Sequence, residues 1–412
     1  MPNKTVIKNT LMLYGFSFAK IIFPLLTLPY LTRILSVSTY GVVTYTKSVI
    51  SYLQLLMDFG FLLSATKDIV EAKQDESRIN QIIGSVLIAQ GILVVISLSI
   101  LVVMILFIPM LCGYEYYVLL SYGPVLLSPL LFDYVFRGLE RMEVITLRFV
   151  VMKGISTFLT FFFVKSNESI IFIPILDIIG SLSAVILVRI ELNKLGIKIK
   201  WAGLKNGFIK LKESFVYFLS NMATTAFGAL NTLIIGFFLS PSDVAFWSVC
   251  ETLVSGVQTL YNPIMTGIYP EMIKTKDLHF IKHIFKVFMP IISLGCIFTF
   301  IVAKPALKII GGENYVDAAY LLRLLIPVMF FSFPGMVLGW PTLGALGYAK
   351  KVTKTTVVTA FFQIVCLGIL ITSGLFSLKT LAILRGFTEF VLLFGRFYYV
   401  QTIKNDFLVG QK

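Results

Sequence analysis

The sequence predicts an all-α integral membrane protein, with about twelve transmembrane helices in two six-helix lobes related by an internal repeat. Three observations predict it. Of 412 residues, 57% are hydrophobic and 14% charged, against about 45–50% and about 25% in soluble domains. The apolar residues gather into twelve long runs between charged or turn-rich breaks. The chain also matches itself, without a gap over about 65 residues, when shifted by 204.

Composition already excludes several classes. A cytosolic enzyme, a disordered chain and a nucleic-acid binder with a basic surface are all incompatible with it. A span takes about 20 residues, so twelve leave little for any soluble domain. The net charge is +14, and in a membrane protein the position of the basic residues says more than their sum. Cys112, Cys250, Cys296 and Cys366 form no close pair; they read as small buried hydrophobes, not a disulfide framework or metal site. His279 and His283 lie in a Lys-rich loop without a Cys or carboxylate cluster. No G-x-x-x-x-G-K-[ST] phosphate loop is present. No catalytic residue, metal or cofactor is expected.

The runs lie at about 10–32, 41–64, 82–108, 118–136, 145–164, 170–190, 214–239, 244–270, 284–310, 319–343, 355–373 and 381–401. They are too long and too uniformly apolar for barrel strands, so they are helices. Lys4 and Lys8 precede the first run and no A-x-A-like site follows a short apolar core, so it reads as a retained span. Pro24, Pro29, Pro124, Pro129, Pro174, Pro263, Pro327 and Pro334 fall within or near runs and predict kinks.

The basic residues set the orientation. With a cytoplasmic N-terminus, 23 of 35 Lys and Arg fall in cytoplasmic segments, five on or near the outer side and seven inside spans. That asymmetry is the positive-inside signal, and it places both termini in the cytoplasm. The longest cytoplasmic connector, Glu191 to Glu213, carries six Lys and Trp201. It reads as a tether obeying charge sidedness before it reads as an amphipathic segment on anionic lipid. The expected organisation is an N-lobe over 1–195, a basic linker over 196–213 and a C-lobe over 214–412.

The repeat is clearest in polar residues inside the spans. Thr44, Lys47, Ser51, Gln54 and Asp58 are spaced 3, 4, 3, 4; Ser248, Glu251, Ser255, Gln258 and Asn262 repeat that spacing 204 residues later. Such spacing places them on one helix face. Ser17, Lys20, Pro24 and Thr27 correspond likewise to Asn221, Thr224, Gly228 and Asn231. One such residue is packing glue between helices. Four matched stripes predict a shared water-filled cavity between lobes of like topology, the parallel-repeat transporter arrangement.

Three lysines sit deep in spans: Lys20, Lys47 and Lys153. A central lysine costs about 2.5–3.5 kcal/mol on insertion scales, so water or counter-charge is required. Facing the cavity, they give it a positive potential; Arg323 either joins them or snorkels to the interface. The expected substrate-cavity residues are Ser17, Lys20, Lys47, Gln54, Lys153, Asn221, Gln258, Asn262 and Arg323. Candidate ion-coupling acids are Glu251, Asp58 and Asp177. Glu251 takes the repeat position of Lys47, and either carries a proton or pairs with Lys47. Asp133 reads as interfacial, and Glu389, four residues after Arg385, as its ion-pair partner.

These residues resemble a known family. Asn9-Thr10-Leu11 through Pro29-Tyr30-Leu31-Thr32-Arg33-Ile34-Leu35, then Tyr40-Gly41, is similar to the opening of O-antigen flippases. So are Asp58-Phe59-Gly60-Phe61, Ser64-Ala65-Thr66-Lys67-Asp68-Ile69 and the stretch from Tyr217 to Pro270. These are polysaccharide transporters of the multidrug/oligosaccharidyl-lipid/polysaccharide exporter superfamily. Ser36 departs from the family, which more often has Gly there. The resemblance implies an undecaprenyl-diphosphate-linked oligosaccharide moved from the cytoplasmic to the periplasmic leaflet of a bacterial inner membrane. It implies the bilayer, a polysaccharide polymerase and a chain-length regulator as partners. Three alternatives remain open: a drug or small-solute antiporter of the same superfamily, which would favour an acidic cavity; a membrane-embedded polymerase or glycosyltransferase, which would want a sizeable outer loop; and a structural scaffold for the synthesis complex, which does not explain the cavity stripes.

Overall fold

The computed structural model describes residues 4–73, 75–200 and 202–409; the side chains of 4–7, 10, 11, 220, 223–229 and 404–409 lie outside that description. Trp201 is therefore outside it, as are the side chains of Thr224 and Gly228. Among the described residues there are helices and no strands. Backbone groups in hydrocarbon must be satisfied within their own segment, and helices do this.

Among the described residues, twelve helical segments follow one another. They are α1 (Lys4–Ile34), α2 (Val37–Glu71), α3 (Glu76–Phe107), α4 (Glu115–Gly138), α5 (Met142–Phe163) and α6 (Asn167–Lys194). Then come α7 (Leu204–Phe238), α8 (Pro241–Leu260, continued as Asn262–Thr275), α9 (Leu278–Gly311), α10 (319–344), α11 (Ala349–Thr372) and α12 (Leu378–Val409). Nine stretches of the described residues are long and apolar enough to cross a membrane. The segments outside that nine are α7, α8 and α12; α8 carries Asp243 and Glu251, and α12 carries Arg385, Glu389 and Arg396. Large apolar side chains stand exposed along the segments, among them Phe18, Leu106, Phe107, Phe298 and Phe361, as a lipid-facing surface requires.

The repeat appears in the helix boundaries. Val37 and Pro241 start α2 and α8, and Phe107 and Gly311 end α3 and α9, each pair 204 residues apart. Both α2 and α8 break near the same point. After Asp58, Phe59 (φ 36°) and Gly60 (φ 76°) turn left-handed and the helix resumes at Phe61. In α8 the break falls at Tyr261, ahead of Pro263. Gly60 suits its place twice: a Cβ would be strained at that φ and would lie 2.6 Å from Cβ of Tyr217.

Two spans expected as single runs are composite. In α4, helices at Glu115–Ser121, Gly123–Leu127 and Asp133–Gly138 are joined by a 3₁₀ turn over Ser128–Leu131. Pro124 and Pro129 lack the N–H that would continue the ladder, and Phe132 is left-handed at φ 47°. In α10 the backbone of Gly339 is non-helical, between Pro334 and Pro341. The Arg396 guanidinium of α12 fills the break: Nη1 donates to the Gly335 carbonyl at 2.7 Å and Nη2 to Thr356 Oγ1 of α11 at 3.1 Å. A Cβ on Gly339 would lie 2.7 Å from that Nη1.

The chain divides into two compact units, residues 1–225 with 236–241 and residues 226–235 with 242–412. The connector read as a linker over 196–213 is helical from Leu204 onward, the first turns of α7. Tertiary bonds hold that end: Lys210 forms an ion pair with Asp68 and contacts Glu213 at 3.2 Å, and Ser214 Oγ lies 2.7 Å from Ser64 Oγ. The cysteines differ from expectation as well: Cys250 is buried, Cys296 and Cys366 are half-buried, and Cys112, in the Gly-containing turn after α3, is exposed.

Candidate translocation site

In the first unit the polar stripe of α2 reaches the surface. Lys47, Ser51 and Asp58 are exposed and Gln54 is half-buried. Gln54 Nε2 donates to Asp58 Oδ1 at 2.8 Å and to Ser128 Oγ at 3.2 Å. On α1, Ser17 and Lys20 are exposed, and the Lys20 ammonium sits 4.5 Å from the centroid of the Phe16 ring. Neither Lys20 nor Lys47 forms an ion pair among the described residues. The acids whose charge reaches Lys20 are Asp133 and Asp58; the one that reaches Lys47 is Asp177.

Lys153 is different from the other two. Its Nζ donates to Asp177 Oδ1 at 3.0 Å, and the same oxygen accepts from Ser156 Oγ at 2.6 Å. It arrives as a neutral pair, and Asp177 serves as its counter-ion. Arg148, buried at the foot of α5, pairs with Asp133. Asp133, read as interfacial, is thus half of an ion pair.

In the second unit the repeat-related stripe carries another chemistry. Glu251 is half-buried, and its Oε2 is buried with no hydrogen-bond partner. The charges that reach it are Arg385 and Glu389, which are buried together with Nη1 of Arg385 2.7 Å from Oε1 of Glu389. That local pair is the one expected from the four-residue spacing. Gln258 is half-buried and Asn262 exposed at the break of α8. Asn221, on the stretch of α7 within the first unit, is half-buried. Arg323 donates from Nε to the Phe300 carbonyl at 3.1 Å and lies 4.9 Å from the Phe300 ring. Its side chain is held to α9.

Four polar residues were missed in the sequence: Arg148, Gln90, Arg396 and Gln363, whose Nε2 donates to Oδ1 of Asn231, a residue of the α7 stripe, at 2.9 Å. An ionisable residue inside an apolar run is a site candidate by default, and that signal was available for Arg396.

This arrangement defines a class. The fold is that of multi-span membrane transporters: an inward-facing multidrug resistance MATE family transporter aligns with a TM-score of 0.66 at 13% identity, covering 93% of this chain and 98% of that one. The lipid II flippase MurJ in an inward closed conformation aligns at 0.66 and 11% identity, covering 96% and 87%. Within that class, the model of the family described as "Polysaccharide biosynthesis protein" matches residues 6–276, and the chain belongs to that family. A protein of Escherichia coli (strain K12) named "Putative O-antigen transporter" is 27% identical over 383 residues, 90% of this chain and 88% of its own length. One of the same name from Shigella dysenteriae is 28% identical over 346 residues, 81% and 85%. The relatives are named as transporters, not enzymes.

Proposed function

We propose that the protein translocates an undecaprenyl-diphosphate-linked oligosaccharide from the cytoplasmic to the periplasmic leaflet of the bacterial inner membrane by alternating access. The observation that carries this reading is the pair of lysines, Lys20 and Lys47, exposed on α1 and α2 without an ion-pair partner among the described residues. A diphosphate with a hydrophilic glycan faces about 30 Å of hydrocarbon. Two cations outside any ion pair among the described residues give the charged part a counter-charge on the way, while the lipid tail stays in the bilayer. The names of the two relatives agree with such a cargo. A cationic drug would be repelled by the same lysines.

Ser17, Gln54, Asn221, Gln258 and Asn262 supply the hydrogen-bonding surface for the glycan in this reading. Glu251 is the ion-coupling residue in this reading, because its buried carboxylate oxygen has no hydrogen-bond partner. Asp177 is tied to Lys153 and Asp58 to Gln54. Both termini lie in the cytoplasm, and the polymerase and chain-length regulator take up the product on the other side.

The test is a leaflet-resolved assay in proteoliposomes with a fluorescent lipid-linked oligosaccharide. The reading requires that the outer-leaflet fraction grow with the protein and not with empty vesicles. Glu251→Gln should reduce the response to a pH gradient and leave headgroup binding unchanged. No protein-dependent movement of any lipid-linked oligosaccharide would overturn the proposal.

A further inference from the structure

The first unit contains a cavity of about 270 Å³ that the free lysines do not explain. Segment α2 contributes Gln54 and Asp58, α3 contributes Gln90, and the broken part of α4 contributes Ser128, Asp133 and Tyr134. Part of this polar lining is already engaged. Gln54 gives its amide hydrogens to Asp58 and Ser128, and Asp133 is paired with Arg148. Two acceptor groups deep in the wall are not. Gln90 is 7% exposed and its amide oxygen has no hydrogen-bond partner; Tyr134 is 4% exposed and its hydroxyl has none. A buried polar group left unpaired costs about 1–3 kcal/mol, so a guest whose hydroxyls these side chains turn to meet recovers that cost.

Size and chemistry select the guest. A single ion or water needs only about 10–15 Å³ of such space, a small part of what is present. Arg148 already supplies the positive charge opposite Asp133. A sugar ring brings hydroxyls that both donate and accept, matching amides, carboxylates and hydroxyls together. Its apolar faces suit the rings of Phe61 and Phe132, which also line the cavity. Position adds one more fact. Lys20 feels the charges of Asp133 and Asp58, the two acids of this same lining, and those of Arg137 and of Arg148, the partner of Asp133.

We propose that this cavity is a monosaccharide subsite, holding the sugar bonded directly to the phosphate that Lys20 attracts. The proposal rests on the translocation reading, in which Lys20 meets the diphosphate. It assigns Gln90 and Tyr134 as specificity-determining residues. A site built to hydrogen-bond a hydroxyl discriminates strongly against an analogue lacking it, because its buried groups are then left unpaired.

The test uses the full-length protein in lipid nanodiscs. Binding is titrated with inorganic phosphate, with free glucose, galactose, N-acetylglucosamine and N-acetylgalactosamine, and with the 1-phosphates of those four sugars, at constant sodium. At least one sugar 1-phosphate should bind tenfold or more tightly than both inorganic phosphate and its own free sugar. Gln90→Met should abolish that gain and leave phosphate binding unchanged; Lys20→Gln should weaken phosphate binding and leave free-sugar binding unchanged. Gln90→Met conserves volume and removes an unpaired acceptor, so it should fold at least as stably as the parent, and Ser128→Ala is the second variant. The proposal is overturned if no sugar 1-phosphate exceeds phosphate, or if the gain survives Gln90→Met, whatever Ser128→Ala does. It is also overturned if sodium, and not a sugar, gives saturable stabilisation that Gln90→Met removes. Leaflet transport without sugar preference sinks this subsite alone; sugar preference without leaflet transport sinks the translocation reading alone.

Discussion

Lys47 in α2 and Glu251 in α8 stand 204 residues apart at matched positions of two helices that begin in register. Their surroundings differ as much as their charges. Lys47 is exposed and makes no ion pair among the described residues. Glu251 has a buried carboxylate oxygen beside the buried Arg385–Glu389 pair. The duplicated helix supplies the same stripe geometry to each unit, and substitution at single positions of the stripe gives each its chemistry. A free cation on an accessible face is available to a ligand. A carboxylate oxygen buried without a hydrogen-bond partner is screened from such a ligand. Charge content alone therefore does not locate a site; pairing and accessibility do.

The sharpest way to break this comparison is in the buried network. Arg385→Ala strands Glu389 in a buried setting, and losing one partner of a buried pair typically costs about 3–5 kcal/mol. Thermal unfolding in detergent should show a large loss for Arg385→Ala and almost none for Lys47→Ala. Equal losses would mean that Lys47 is as structurally committed as Arg385. An effect of comparable size is expected at the break of α10. Arg396→Leu removes two hydrogen bonds from a charged donor, each worth roughly 1.5–3 kcal/mol at most. Gly339→Ala should mimic it by pushing the guanidinium away. If Arg396→Leu leaves stability unchanged, the break is held by its prolines alone.

The smallest effect belongs to the start of α9, outside the stripes. Asp277 caps that helix, its carboxylate accepting from the His279 backbone N–H at 2.8 Å, and this bond holds the carboxyl below its ordinary range. A depressed folded value means that its contribution is present above the unfolded pKa and is lost as pH falls through the folded one. Hydrogen exchange of the first turn of α9 should therefore be less protected near pH 3 than near pH 6, a difference that Asp277→Ala erases. A pH difference that persists in Asp277→Ala would point to another group.

Much of this was legible in the sequence, for identifiable reasons. Apolar runs gave the spans because the bilayer imposes both length and hydrophobicity. The repeat of Thr44 to Asp58 in Ser248 to Asn262 was visible because polar residues are rare in such helices. The Arg385–Glu389 pair was legible because it is local, four residues on one helix. What escaped were partners on different helices. Lys153 looked as free as Lys47 until α6 brought Asp177 to it, and the connector looked loose because Asp68, 142 residues away, is what holds Lys210. Gln90 gave no signal at all: one amide in an apolar run has no periodicity, and only the wall formed with α2 and α4 shows its oxygen without a partner.

Charge at Lys20 and Lys47 is what translocation of a diphosphate headgroup requires. A unit pair at 4 Å with an effective dielectric near 20 is worth roughly 4 kcal/mol before desolvation, ample to slow transport when removed. The direct measurement is the initial rate of leaflet transfer of a lipid-linked oligosaccharide for Lys20→Gln, Lys47→Gln and the corresponding Arg variants, at matched amounts of folded protein. Both Gln variants should slow transfer at least tenfold, and Arg should restore most of it at each position, since Arg keeps the charge and changes the shape. Transfer at the parent rate by both Gln variants, with the folded protein confirmed, would contradict the account.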